Sequence, residues 1–387
     1  MISTDTTADM FAGTEYQLVD FETEGFRYTG SKKAIIPHIH NLVKDLPVRT
    51  VLDGFSGTTR VSQFFAKNGY NVISNDISIW SKTAGVCYLQ NNRPAAEYQP
   101  LIDVLNNAIP FPGWFTENYG GDADTRSSIQ TDGLKKIWQR KNTMKLDAIR
   151  AEIDAGGFDG QTKAVLLMSL ILALDAVDNT VGHFASYLKD WSPRSYDDLH
   201  LAPPSLWINA GRNFVFQKDI FDLLDENIEY DLAYYDPPYG SNNDDTPTSR
   251  VRYQSYYHIW KTLILNDRPE VFGKAKRRVD SLDELNYNIF EDYKKKDGRS
   301  IASWGIEALI EKTKCPYIIL SYSNEGRATF QELRNAIEKT ARIEKIIEIS
   351  YKKNAMAQML FQGDWRNPAN VSNGTRNTEY LFLIRKI

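Results

Sequence analysis

The chain has 387 residues, 42% of them hydrophobic, and a formal net charge of -4, so it is long enough for a large core built as one elaborated domain or two to three units. The acidic balance argues against a generally basic nucleic-acid coat, although nucleic-acid binding needs only a local positive face. Two cysteines, Cys87 and Cys315, stand far apart without a CxxC pattern, so no disulfide framework or metal site is expected and a reducing cytosol fits.

Taken in chain order, residues 1–25 form an acidic N-terminal extension without the basic region and apolar core of a signal peptide, and export is not expected. In "GFRYTGSKKAIIPHI", Tyr28, Gly30, Ser31 and Lys32 precede an amphipathic helix, whose N-terminus with a flanking lysine offers a place for a carboxylate. A capped surface helix with solvated lysines would read the same way. "TVLDGF" (50–55) is a strand that ends in the turn Asp53-Gly54-Phe55-Ser56-Gly57. "TTRVSQFFAKNG" then puts Val61, Phe64 and Phe65 on one helical face, with Gly69 as a stop, before the strand "YNVISND" (70–76). Strand, helix and strand make the building block of a parallel sheet.

The glycine turn can hold a nucleotide-like ligand against its backbone amides, as can an ordinary strand-to-helix turn without a ligand. Thr59 stands where a second glycine is common, so the turn tolerates a close ligand only if Thr59 keeps a normal backbone angle. Asp76 ends the next strand about twenty residues on, where an acid accepts hydrogen bonds from two ribose hydroxyls.

Residues 95–205 break the rhythm with "FPGWFTENYGGDADTRSS", the apolar run "AVLLMSLILAL" and "LAPPSLW". The apolar run, Ala164 to Leu174, is too short for a bilayer and reads as a buried helix, so no membrane association is expected. The strands "NFVFQKD" (213–219) and "YDLAYYD" (230–236) resume the sheet. A second irregular stretch, 240–300, holds "RYQSYYHIW" and a run with five basic residues, Arg268, Lys274, Lys276, Arg277 and Arg278, against Glu270. Such a run can neutralise phosphates or simply be solvated. "YIILSY" (317–322), "IEKIIEISY" (343–351) and "EYLFLIRK" (379–386) close the sheet; the last two, joined by a loop-like segment, are expected to pair as an antiparallel hairpin at its edge.

The strand "YDLAYYD" runs into "DPPYG". A carboxylate at a strand end, a backbone stiffened by two prolines and then a tyrosine ring are arranged to hold a flat aromatic amine. Asp236 and the carbonyl of Pro237 can accept both protons of an exocyclic NH2 while Tyr239 stacks on the ring. That localises the nitrogen lone pair and aims it, so attack on an electrophile needs positioning and electrostatics and no covalent enzyme intermediate.

The ordered set "FRYTGSK", "DGFSG", Asp76, "KDIFDLL", "DPPYG" and "YIILSYSNEG" resembles the Dam-type (alpha-group) adenine-N6 DNA methyltransferases, which use S-adenosylmethionine. The resemblance implies an α/β fold: a Rossmann-like class I methyltransferase sheet, mostly parallel with an antiparallel edge hairpin. Residues 26–94 and 206–387 would form this catalytic domain, 95–205 a largely helical target-recognition domain, and 240–300 a DNA-contacting insertion. It implies that Tyr28 and Lys32, beside Gly30, meet the methionine part of the cofactor, that Asp53, Phe55 and Gly57 form the cofactor turn, and that Asp76 takes the ribose. Asp219 and Ile220 would hold the cofactor adenine, and Asp236 and Tyr239 the target base.

Double-stranded DNA is the implied partner, contacted by Arg252, Lys274, Lys276, Arg277 and Arg278, with Trp114, Arg126, Arg140, Lys141 and Lys145 as candidates in the first insertion. A cytoplasmic modification enzyme paired with a restriction endonuclease is compatible with this reading. Transfer to cytosine N4 or to RNA, and a non-catalytic DNA-binding protein of the same fold, are the alternatives; an Asp at the first position of the tetrad favours adenine.

Overall fold

The computed structural model describes residues 19–209, 211–240, 253–282, 285–352 and 376–387. Seven apolar runs pair into one sheet: β1 (Thr50–Asp53), β2 (Asn71–Asn75), β3 (Asn213–Phe216), β4 (Leu232–Tyr235), β5 (Tyr317–Ser323), β6 (Ala341–Lys352) and β7 (Arg376–Lys386). Their spatial order is β6-β7-β5-β4-β1-β2-β3. Pairing is parallel from β3 through β5, and β7 runs antiparallel between β5 and β6. The expected hairpin is therefore at the edge, with β6 outermost and β7 inside it. The segment between these strands, 353–375, lies outside the described residues, as does Arg252.

The helices that cover the sheet and build the insertion are α1 (Ile36–Val43), α2 (Arg60–Lys67), α3 (Ile79–Leu89), α4 (Arg140–Ala155), α5 (Gly160–Ala176), α6 (Ile220–Asp225), α7 (His258–Leu265), α8 (Ile301–Lys312) and α9 (Phe330–Glu338). The two-residue period of β4 sorts its side chains between the two faces. Leu232 and Tyr234 pack with Ile36 and Ile39 of α1 and Phe64 and Phe65 of α2, whereas Ala233 and Tyr235 pack with Leu223 of α6, Leu309 of α8 and Ile337 of α9. Burying one such aromatic or aliphatic side chain contributes about 1.5 to 3 kcal/mol. Local signals set the helix ends. Gly69, at φ 84°, turns the chain after α2, and Thr329 with Glu332 closes a capping box on α9.

The first insertion has no separate core. Leu166 and Leu170 of α5 and Ile149 of α4 share one buried cluster with Trp80 and Ala84 of α3 and with Tyr257 and Trp260 around α7. The stretch 240–300 is also divided. Residues 253–265 join that cluster, residues 271–278 form a short antiparallel ribbon, and Phe290 joins the sheet core on the α8 face. No helix among the described residues is long and apolar enough to cross a membrane.

Candidate active site

A cavity of about 390 Å3 opens where β1, β2 and β4 end, in the crevice beyond the strand C-termini where open α/β sheets take ligands. Its floor is the turn after β1. A Cβ on Gly54 would lie 2.7 Å from the Tyr235 ring, and one on Gly57, at φ 52°, would lie 3.1 Å from the Tyr28 ring. Thr59 departs from the expected backbone: it is left-handed, at φ 61°, as the N-cap of α2, but it is fully buried and does not line the cavity, so the expected limit on a close ligand does not apply. Its amide donates to Ser56 O at 2.6 Å and its Oγ1 accepts from Gln63 Nε2 at 3.0 Å. These bonds offset a conformation that costs a non-glycine residue about 1 to 2 kcal/mol.

Three acids border the turn. Asp76 Oδ2 accepts from the Gly57 amide at 2.9 Å and Oδ1 from the Ser78 amide at 2.8 Å, so this carboxylate shapes the turn as well as facing the cavity. Burial raises its pKa against the lowering effect of the hydrogen bonds from Gly57, Ser78 and Ser81. Asp53 Oδ2 accepts from Ser62 Oγ at 2.6 Å, while its buried Oδ1 has no partner. Burial pushes the Asp53 carboxyl up to about 7. An orphaned carboxyl oxygen on a cavity wall calls for a donor, and best for a cation. Asp219 caps α6 by accepting from the Phe221 amide at 2.8 Å, and Ile220 lies beside Gly54; both line the cavity. Gly30 and Phe55 line it too, the latter edge-on to Phe290 at 5.4 Å. Tyr28 stacks on Tyr257 at 4.5 Å and on Tyr253 at 5.3 Å.

The "DPPY" corner stands against this cavity with a division of labour inside one carboxylate. Asp236 Oδ1 accepts from Lys32 Nζ at 3.0 Å and from the Tyr239 hydroxyl, whereas Oδ2 has no partner among the described residues. Asp236 lines the cavity, as does Pro238; Pro237 is buried behind them. Burial raises the Asp236 pKa to about 6 against the pull of Lys32.

Tyr239 is held beside Asp236 by its hydroxyl and its ring. Its hydroxyl lies within hydrogen-bond distance of Asp236 Oδ1 and, at 2.6 Å, of Glu379 Oε1, and its ring packs on Tyr322 at 4.7 Å. Lys32 reaches the cavity, but its ammonium is engaged by Asp236, Glu379 and Tyr239 at 2.8 to 3.0 Å. Sequence reading missed Glu379, Tyr253 and the strap Asn286–Glu291, all far along the chain from the glycine turn; Tyr253 and the strap close the cavity wall.

The basic candidates separate into two groups. Arg278 is 4% exposed, and its guanidinium is bound to Asp267 at 2.6 and 2.7 Å and to Asp280 at 2.9 and 3.0 Å. It is a buried anchor, and its expected phosphate contact is corrected accordingly. Lys274, Lys276 and Arg277 make no salt bridge among the described residues, and Arg277 lies over the Phe272 ring at 4.7 Å. The ribbon that bears them is held by Tyr119 Oη donating to Lys276 O at 2.8 Å and by Tyr187 Oη donating to Ala275 O at 2.5 Å. In the first insertion, Arg126, Arg140 and Lys141 pair with Asp190, Asp122 and Asp198, Lys145 donates to the carbonyls of Asn106 and Ala108, and Trp114 packs on Phe115 and Tyr119.

Comparison with known proteins agrees with this geometry. The chain is 29% identical over 376 residues to Modification methylase StsI of Streptococcus sanguinis, an alignment covering 93% of this chain and 52% of that protein. It is 27% identical to Modification methylase LlaI of Lactococcus lactis subsp. lactis, covering 84% of this chain and 50% of that one. The chain thus spans about half the length of these two relatives. Type II methyltransferase M.NlaIII of Neisseria lactamica is 25% identical, over 93% of this chain and 99% of its own length. The glycine turn, the "DPPY" corner and both insertions fall within residues 28–312, the span matched by the family model, and the chain belongs to the D12 class N6 adenine-specific DNA methyltransferase family.

Proposed function

We propose that the protein is a site-specific DNA methyltransferase that moves the methyl group of S-adenosylmethionine to N6 of an adenine turned out of duplex DNA. The observation that carries this reading is the pair of unequal oxygens of Asp236, a residue of the cavity wall: Oδ1 is held by Lys32 and Tyr239, and Oδ2 has no partner among the described residues. The cofactor fits the observed surroundings. Asp76 can receive ribose hydroxyls, the orphaned Asp53 Oδ1 can receive an ammonium, and Asp219 with Ile220 borders the space for the adenine. When bound, S-adenosylmethionine supplies an electrophilic methyl group on a sulfonium.

The protein's own part is orientation. Asp236 Oδ2 accepts one amine proton, localises the nitrogen lone pair, and can take the proton that the methylated nitrogen sheds. Tyr239 would stack on the base, and the Tyr28, Tyr253 and Tyr257 column stands beside the cavity. Lys274, Lys276 and Arg277 on their tethered ribbon supply phosphate contacts. The relatives' names, modification methylase and type II methyltransferase, support assignment to the modification half of a restriction–modification system; pairing with an endonuclease and action in the cytoplasm are part of the proposal. Nucleoside mass spectrometry after reaction with mixed-sequence duplex DNA tests the proposal: N6-methyladenine confined to one short context is expected, and methylcytosine as the main product, or no methylated base, overturns it.

A further inference from the structure

Glu379 is 2% exposed and stands at the centre of the Asp236 cluster. It gets there because β7 is reversed: Glu379 pairs with Ser323 of β5, at the sheet edge where the parallel strands end. Its Oε1 accepts from Lys32 Nζ at 2.9 Å and from Ser321 Oγ at 2.5 Å, and it competes with Asp236 Oδ1 for the one proton of the Tyr239 hydroxyl, 2.6 Å away. The same lysine nitrogen lies 3.0 Å from Asp236 Oδ1. Two carboxylates thus share one ammonium.

We propose that Glu379 is a positioning residue for methyl transfer: by drawing the Lys32 ammonium and the Tyr239 hydroxyl toward β7, it leaves the Asp236 carboxylate less neutralised and so a stronger acceptor for the amine proton. The inference rests on the reading of Asp236 given above. During transfer the N6 lone pair forms the bond to the methyl carbon, the electron pair of the broken carbon–sulfur bond stays with sulfur, and one N6 proton passes to Asp236 Oδ2. An Asp236 carboxylate that Lys32 does not fully neutralise favours the positive charge that develops on nitrogen.

The charges facing Asp236 come from several elements: Lys32 ahead of α1, Asp53 at the end of β1, Glu379 on β7, and the phenols of Tyr234, Tyr239 and Tyr253. Burial is the largest influence on Asp236 and raises its pKa, Lys32 lowers it, and Glu379 raises it again. Removing the Glu379 charge must therefore lower the Asp236 pKa and carry the acid limb of the rate profile down with it. A role limited to packing leaves that limb where it is.

The test is single-turnover methylation of duplex DNA by the full chain across pH. Glu379→Gln is expected to slow transfer by about tenfold or more, to move the acid limb down by about half a pH unit or more, and to leave cofactor affinity by calorimetry within about threefold. Glu379→Asp, which keeps the charge, should leave the limb in place. An unmoved limb in Glu379→Gln, or the same shift in Glu379→Asp, overturns the proposal. Carbon NMR titration of the Asp236 carboxyl reads the same midpoint without turnover. If the wild type methylates no DNA, a lower midpoint in Glu379→Gln still upholds the positioning role, and it is the proposed function that fails. In the wild type the carboxyls of Asp236 and Glu379 must also titrate as a coupled pair, each in two steps. Independent single-step curves overturn the proposal even if Glu379→Gln does not fold.

Discussion

In the proposed reaction Asp236 acts through the difference between its two oxygens, one tied to Lys32 and Tyr239 and one without a partner among the described residues. Asp236→Ala should therefore leave duplex binding largely intact and cut methyl transfer by about 3 to 4 kcal/mol, two to three decades of rate; residual single-turnover activity at saturating cofactor checks this. Asp53 offers a prediction about pH. Its carboxyl titrates near 7 in the folded chain because it is buried, and near 4 when unfolded. Between those values the native state holds a proton that the unfolded state has shed, so stability falls as pH rises, by about 1.4 kcal/mol per unit. Asp53→Asn should flatten the decline of melting temperature between pH 4 and 7, and an identical slope in the variant would rule out this titration. Asp53, Asp76 and Asp236 were all legible in the sequence because each sits at a strand end beside a turn motif. Arg278 was misread because a run of basic letters does not show which member turns inward to Asp267 and Asp280.

At the scale of elements, the ribbon 271–278 joins the two insertions. Tyr119 and Tyr187 donate to its backbone carbonyls, and Arg278 locks its base. Neutralising Lys274, Lys276 and Arg277 together should reduce the slope of log binding constant against log salt by about 0.9 for each true phosphate contact, with site preference little changed. Arg278→Ala should instead leave the salt slope alone and lower stability by about 1.5 to 3 kcal/mol, the value of charged hydrogen bonds. Anisotropy titrations across salt, with thermal melts of both variants, separate the two behaviours. Burial of a guanidinium among acids is a property of the docked ribbon, and no local pattern in residues 268–278 announces it.

Over the whole molecule, the cluster that runs from α3 through α4 and α5 to α7 makes the first insertion part of the catalytic body. Trp138 is fully buried there, with Nε1 donating to Leu174 O at 3.0 Å. Trp138→Ala should cost about 3 to 5 kcal/mol and lower a single unfolding transition; two separate transitions, followed by fluorescence and by far-ultraviolet circular dichroism, would show instead that residues 95–205 fold alone. The sequence by itself determined the strands, the parallel unit around the glycine turn, the edge hairpin and the "DPPY" corner, because strand alternation, turn glycines and proline-stiffened strand ends are written within a few residues. Only the tertiary structure decided that Glu379 enters the site, that Tyr253 and the strap Asn286–Glu291 close the cavity, and that Tyr239 turns toward Asp236 and Glu379. The physical reason is the sheet's topology. A reversed β7 starts where β4 and β5 finish, so an acid near the end of the chain meets a lysine near its beginning, and no local periodicity records that meeting.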